Sequence, residues 1–273
     1  MAALTAMALP PRTAVGAGEA VHIALHNGLV WADVECGGKT LHCVVDTGAA
    51  SSCVDLAAAK RAGLRLGSAV TVAGVDGWTK GYRCVEFQGS LGGMKLPADV
   101  VALDLSGPSR ECSREIDGLI GADFFEGKVV RIDYAKGVLS REEGLRSSSA
   151  TPLRFANGVI CAPVAVNGGG TRWTRLDTGC TDALDWCEGG CGCPKKPAGK
   201  SMALASAMGA PAPWRGVAEV SVGTEQLHHV PVTMRSREIF PGEAGLLGNG
   251  ALSKYRAMTI DGIGKRLVLE REH

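Results

Sequence analysis

The chain has 273 residues, 45% of them hydrophobic and 21% charged, with a formal net charge of +1. Such a composition belongs to a soluble globular protein, and the length leans toward two domains rather than one. The near-zero, dispersed charge excludes an electrostatic pull toward nucleic acid or an anionic membrane surface, and no apolar run approaches the roughly 20 residues needed to span a bilayer.

In chain order, the first segment, MAALTAMALPPRTAVGAGEA, is small and apolar with no basic residue before Arg12. It reads either as a disordered tail or as the stub of a removed signal peptide. Residues 26–49 alternate apolar and polar residues, turn at Gly37-Gly38 and return through Val44-Val45 into Asp46-Thr47-Gly48. That pattern predicts a β-hairpin with the tripeptide at the end of its second strand. Residues 55–64, DLAAAKRAGL, predict a short amphipathic helix. Residues 71–83, TVAGVDGWTKGYR, have two arms around a Gly-rich tip and predict a second hairpin. After the stretch 91–103 comes Gly-Leu-Ile-Gly at 118–121 and a one-turn candidate at 121–127. An Ile-Asp strand, a turn at glycine and a final apolar strand follow, ending near 142. Residues 141–152, REEGLRSSSATP, are polar, Ser-rich and end in Pro, as a linker does.

Beyond this linker the chain repeats itself. Residues 156–180 again begin Asn-Gly, turn at Gly168–Gly170 and return through Leu176 into Asp177-Thr178-Gly179. Residues 222–234 lie over 91–103. Residues 244–272, with Gly-Leu-Leu-Gly at 245–248, lie over 117–142. The offset is 131 positions at the tripeptides and 127 at the glycine motifs. Two tripeptides arising by chance would not carry their surroundings with them, so the pattern predicts a duplicated domain, 20–145 and 150–273.

The 10 cysteines lean toward an oxidising compartment and some disulfides, most of all within 180–193. The spacing of Cys180, Cys187, Cys191 and Cys193 lacks the paired C-x2-C knuckles of zinc sites, so disulfides rank first, free thiols second and zinc third. The expected location is extracytoplasmic, periplasmic or secreted. His228-His229 and Lys195-Lys196 read as surface pairs.

An apolar run into Asp-Thr-Gly, followed some seventy residues later by Gly-Leu-Ile-Gly or Gly-Leu-Leu-Gly, resembles the aspartic proteases. The half size is similar to that of their retropepsin-like branch, including its bacterial members, and the resemblance covers nearly the whole chain. It implies an all-β, bilobal acid-protease fold, two retropepsin-like halves related by an internal pseudo-twofold axis. It further implies an aspartic endopeptidase whose catalytic residues are Asp46 and Asp177, one from each lobe. Two carboxylates are needed because one must act as base and the other as acid toward the scissile carbonyl. Like charges about 3 Å apart cannot both ionise, so such a pair shares a proton. By resemblance, Thr47 and Thr178 tie the two loops together across the axis, while Gly48 and Gly179 allow close approach and offer N–H groups to the carboxylates. The hairpin at 71–83 stands where the family carries a flap, with Val75, Asp76, Gly77 and Trp78 toward substrate. The counterpart at 203–216, which holds Pro211 and Pro213, fits a flap less well.

The resemblance implies a polypeptide substrate, no cofactor, no metal and a monomer that is an internal pseudo-dimer. The chain departs from the family at Ala49, which lacks the hydroxyl found there in pepsins, at Cys180 and at Asn249. A second reading is a catalytically silent peptide-binding module on the same fold. Silent relatives usually lose a catalytic residue, whereas both aspartates are present here.

Overall fold

The computed structural model describes residues 19–74, 77–145, 149–187, 214–236 and 238–271. The architecture is all-β and bilobal, with a few short helical turns.

Leu29–Cys36 and Lys39–Val45 form the hairpin expected at 26–49, turning at Gly37-Gly38, where both residues have positive φ (57° and 73°). Glycine alone adopts that backbone without penalty, which is why the turn falls there. The chain leaves Val45 through the Asp46 loop and returns as Cys53–Asp55. The later strand Gly118–Ile120 inserts between these two, parallel to Lys39–Val45 and antiparallel to Cys53–Asp55. Leu29–Cys36 is buried on both faces, so it reads as a nearly continuous apolar run. Val30, Ala32 and Val34 point into the main core. Leu29 and Trp31 point the other way, into a smaller apolar cluster with Val44, Cys53, Leu105 and Ile116.

The helix expected at 55–64 spans Leu56–Arg61. Asp55 caps it: one carboxylate oxygen accepts from Ala57 N–H (2.8 Å) and Ala58 N–H (3.1 Å). The other accepts from Leu105 N–H (3.1 Å), tying the helix to the loop that closes the apolar cluster. A cap of this kind is worth about 0.5–2 kcal/mol. The one-turn candidate is the 3-10 turn Ala122–Phe125. The helix Ser106–Glu111 carries no amphipathic signature, and its periodicity gives no warning of it.

In the second half, Val159–Val166, Arg172–Asp177 and Leu184–Cys187 occupy the same relations. Gly245–Gly248 inserts parallel to Arg172–Asp177 and antiparallel to Leu184–Cys187. Trp214–Val222 and Glu225–Arg235 form its long hairpin.

One sheet joins the halves. Val129–Asp133 pairs antiparallel with Ala257–Asp261, so Arg131 lies opposite Thr259. Val138–Glu142 and Arg266–Glu270 flank them, with Ala20–His22 and Thr151–Pro152 at the two edges. Its backbone bonds and the burial of Val130, Ile132, Met258 and Ile260 hold the halves in one orientation.

The disulfide expectation is corrected. Among the described residues, Cys36, Cys43, Cys53, Cys84, Cys112, Cys161, Cys180 and Cys187 are all free thiols. Cys191 and Cys193 lie outside the described residues. Six of the eight are buried in strands or the core, where cysteine acts as a small apolar residue. Burial pushes the Cys53 and Cys180 thiols up to about 12 and those of Cys84 and Cys161 to about 11. A thiol held neutral in this way is a poor partner for exchange. The eight described cysteines therefore supply no argument for an oxidising compartment.

Candidate active site

Each Asp-Thr-Gly sits at the end of a buried strand, and the two loops meet between the halves. The contact is reciprocal. Thr47 N–H donates to Thr178 Oγ1 and Thr178 N–H donates to Thr47 Oγ1, both at 3.1 Å. Each hydroxyl in turn donates to the strand of the other half: Thr47 to Leu176 O (2.7 Å), Thr178 to Val45 O (2.6 Å). Both threonines are fully buried. Four hydrogen bonds out of water, each satisfying a group that would otherwise be orphaned, fix the loops against each other.

This brace leaves no room beside the glycines. A Cβ on Gly48 would stand 2.3 Å from Asp177 Cγ, and one on Gly179 would stand 2.4 Å from Asp46 Cγ. Each glycine is thus the floor on which the opposite carboxylate rests. The Asp46 and Asp177 side chains face each other closely enough for each to shift the titration of the other, and both keep partial exposure.

The two carboxyls are not equivalent. One Asp46 oxygen accepts from Gly48 N–H (3.0 Å) and Ala49 N–H (3.1 Å). Among the described backbone groups, Asp177 accepts from Gly179 N–H (3.0 Å). Burial raises the Asp46 pKa, opposed by the bond from Asp177, the two N–H groups and the nearby Arg175 charge. Asp177 is raised well above the usual carboxyl range, first by burial and then by the negative charge and hydrogen bond of Asp46. The two carboxyls therefore titrate as a coupled pair, Asp177 being raised further than Asp46 by its burial and by the Asp46 charge. Ala49 has no hydroxyl, yet its backbone N–H takes up part of that task.

Behind the loops the glycine motifs are anchored differently. Gly121 N–H donates to Ser52 Oγ, and Ser52 donates to Asp123 through its N–H and its hydroxyl (2.7 Å). In the second half Asn249 replaces that arrangement. Its Nδ2 donates to Gly28 O (2.6 Å) and its Oδ1 accepts from Tyr134 (2.9 Å), both groups of the first half.

The hairpin Arg65–Gly74 with Gly77–Val85 carries Trp78 opposite Ala73, with Trp78 77% exposed. Gly77 pairs with Gly74 beside the turn; Val75 and Asp76 lie outside the described residues. Of the second flap candidate, 203–216, only the last residues belong to the described chain, at the start of the strand Trp214–Val222.

Two residues at the site were not singled out from sequence. Arg175 and Glu243 are buried and paired through two bonds of 2.7 Å. The signal was present: at the tripeptide-minus-two position the first half has Val44 in its apolar strand, and the second half has a charge.

No group of three or more histidine, cysteine, aspartate or glutamate side chains that would hold a metal ion occurs among the described residues. No described helix is long and apolar enough to cross a membrane. Residues 32–124 match a family model for aspartyl proteases, a span containing Asp46, the Trp78 hairpin and the first glycine motif. No curated protein matches the chain.

Proposed function

We propose that the protein is an aspartic endopeptidase in which residues 20–145 and 150–273 each supply one carboxylate. The observation that carries the reading is the pair itself: two half-buried carboxyls, each seated against the opposite glycine, on loops locked by reciprocal threonine bonds. A water held between them loses a proton to Asp46 as its oxygen attacks the peptide carbonyl carbon. Asp177 gives its proton to the carbonyl oxygen, so a neutral tetrahedral diol forms with no net charge change at the dyad. Collapse of the diol returns a proton to Asp177 and passes the one on Asp46 to the leaving nitrogen. Neither carboxyl does both tasks at one moment, which is the physical reason for needing two.

The substrate is a polypeptide crossing the dyad, with the exposed Trp78 of the hairpin Arg65–Gly74 with Gly77–Val85 as an apolar contact for it. Since one chain brings both carboxylates, a monomer suffices. The test is cleavage of a peptide library at several pH values, with and without pepstatin. Activity that pepstatin inhibits and that Asp46→Asn and Asp177→Asn each reduce by several powers of ten is the expected result. A library bound without cleavage by the wild type favours the silent binding module instead.

A further inference from the structure

We propose that Arg175 is a positioning residue for this dyad, holding the two loops in register from outside and setting the electrostatic surroundings in which the carboxyl pair titrates. The proposal rests on the reading of Asp46 and Asp177 as a working pair. Arg175 lies on the strand Arg172–Asp177, two residues before the Asp177 carboxyl. Its guanidinium makes contacts in three directions. Nε and Nη2 each donate to a different oxygen of Glu243 at 2.7 Å. The plane stacks on Phe240, 3.5 Å from the ring centroid. Nη1 crosses to the other half and donates to Gly48 O at 2.9 Å. Gly48 is the residue on which the Asp177 carboxylate rests. Arg175 therefore reaches round its own loop to hold the opposite one, and it does so where a planar fork with separate donors is required.

The two halves are unlike at this point. The row that carries Arg175 opposite Cys161 and Leu246 corresponds in the first half to Val44, opposite Trp31 and Leu119. Glu243 stands two residues before Gly245, as Ile116 stands two before Gly118. Val44 and Ile116, members of one hydrophobic cluster, are thus matched in the second half by a buried ion pair. Burying an ion pair offers little stability over an apolar pair of similar size. Its presence beside the dyad, and nowhere else in the equivalent row, points to a role in the site.

The other groups facing the dyad do not supply this charge. Around Asp46 are the Gly48 and Ala49 N–H groups, the neutral Cys53 thiol and, behind it, the Asp123 carboxyl held by Ser52. Around Asp177 are the Gly179 N–H and the neutral Cys180 thiol, with the Asp182 carboxyl and the Asp185–Arg235 pair beyond. Among the described residues, Arg175 is a cation that acts on both carboxyls, and it favours their ionised forms.

The test compares two variants with the wild type, all as full-length protein. In the double variant Arg175→Val with Glu243→Ile, the second half takes the pair that the first half already accommodates, so no buried charge is orphaned. Arg175→Lys keeps the charge and loses the fork. The dyad's titration is read directly by carboxyl carbon NMR, assigned with Asp46→Asn and Asp177→Asn, and needs no turnover. In the double variant the lower titration step is expected to move up by about half a unit or more. In Arg175→Lys it is expected to stay near the wild-type position while kcat falls about tenfold with KM little changed. An unmoved titration in a folded double variant would overturn the proposal, as would a Lys variant that shifts as far as the double one. Failure of the endopeptidase reading looks different: the dyad titrates as a pair, yet wild-type protein cleaves nothing.

Discussion

The reciprocal threonine brace is the feature most open to a quantitative test. In Thr178→Val the shape of the side chain is kept and its hydroxyl is lost. Two backbone groups, Thr47 N–H and Val45 C=O, then lose partners at 3.1 Å and 2.6 Å in a fully buried place. Each orphaned group costs about 1–3 kcal/mol, so the variant is expected to lose about 2–6 kcal/mol. At about 2–4 °C per kcal/mol for a chain near this size, the melting temperature falls by about 4–24 °C. Thr178→Ser is the control. It keeps the hydroxyl and drops one methyl, a loss of about 1 kcal/mol with a small cavity term. Calorimetry and urea unfolding of the two variants against wild type give the comparison. Valine should be clearly worse than serine. A valine variant as stable as the serine one would show that packing, and not the crossed bonds, joins the loops. Thr47→Val should behave alike, and the double valine variant should cost less than the two singles together, because each change already loosens the loop that the other bond serves.

Three further outcomes follow from the dyad's surroundings. Because burial and mutual repulsion raise the Asp177 pKa above its unfolded value of 3.8, the stability it contributes is fully present below that value and is lost as pH rises through the folded one. Asp177→Asn should therefore gain on the wild type in urea midpoint between about pH 4 and neutral, and an equal difference at both ends would refute the assigned direction. Gly48→Ala would force a Cβ to 2.3 Å from Asp177 Cγ, so hydrolysis should fall about 100-fold or more, measured on any peptide the wild type cleaves. The pH–rate profile should be bell-shaped with an optimum at about pH 4–6, and Ala49→Ser, which adds a donor next to Asp46, should move its acidic limb lower. An optimum near pH 2, or an unmoved limb in an active Ala49→Ser enzyme, would count against the account.

Much of the framework was legible in local pattern. Glycine pairs marked turns because only glycine tolerates the backbone they need, and apolar alternation marked the strands around them. The constant spacing between two Asp-Thr-Gly sequences named the residues that meet between the halves, since a loop at a strand end is placed by the strand. The amphipathic stretch 55–64 announced the first helix, and the structure adds the Asp55 cap that starts it. What the chain alone did not reveal depends on neighbours far away in sequence. Ten cysteines read as candidate disulfides, yet the eight described ones stay free, because pairing depends on distance and thiolate character that only packing sets. Asn249 departs from the family pattern, and its bonds to Gly28 and Tyr134 of the other half depend on packing that the local sequence does not encode. Arg175 and Glu243, 68 residues apart, are each anomalous in an apolar strand context and become intelligible only as a buried pair reaching Gly48. The unequal proton affinities of Asp46 and Asp177 belong to the same class. Identical tripeptides encode identical loops, and it is the burial, the N–H partners and the one-sided guanidinium around them that raise Asp177 further than Asp46.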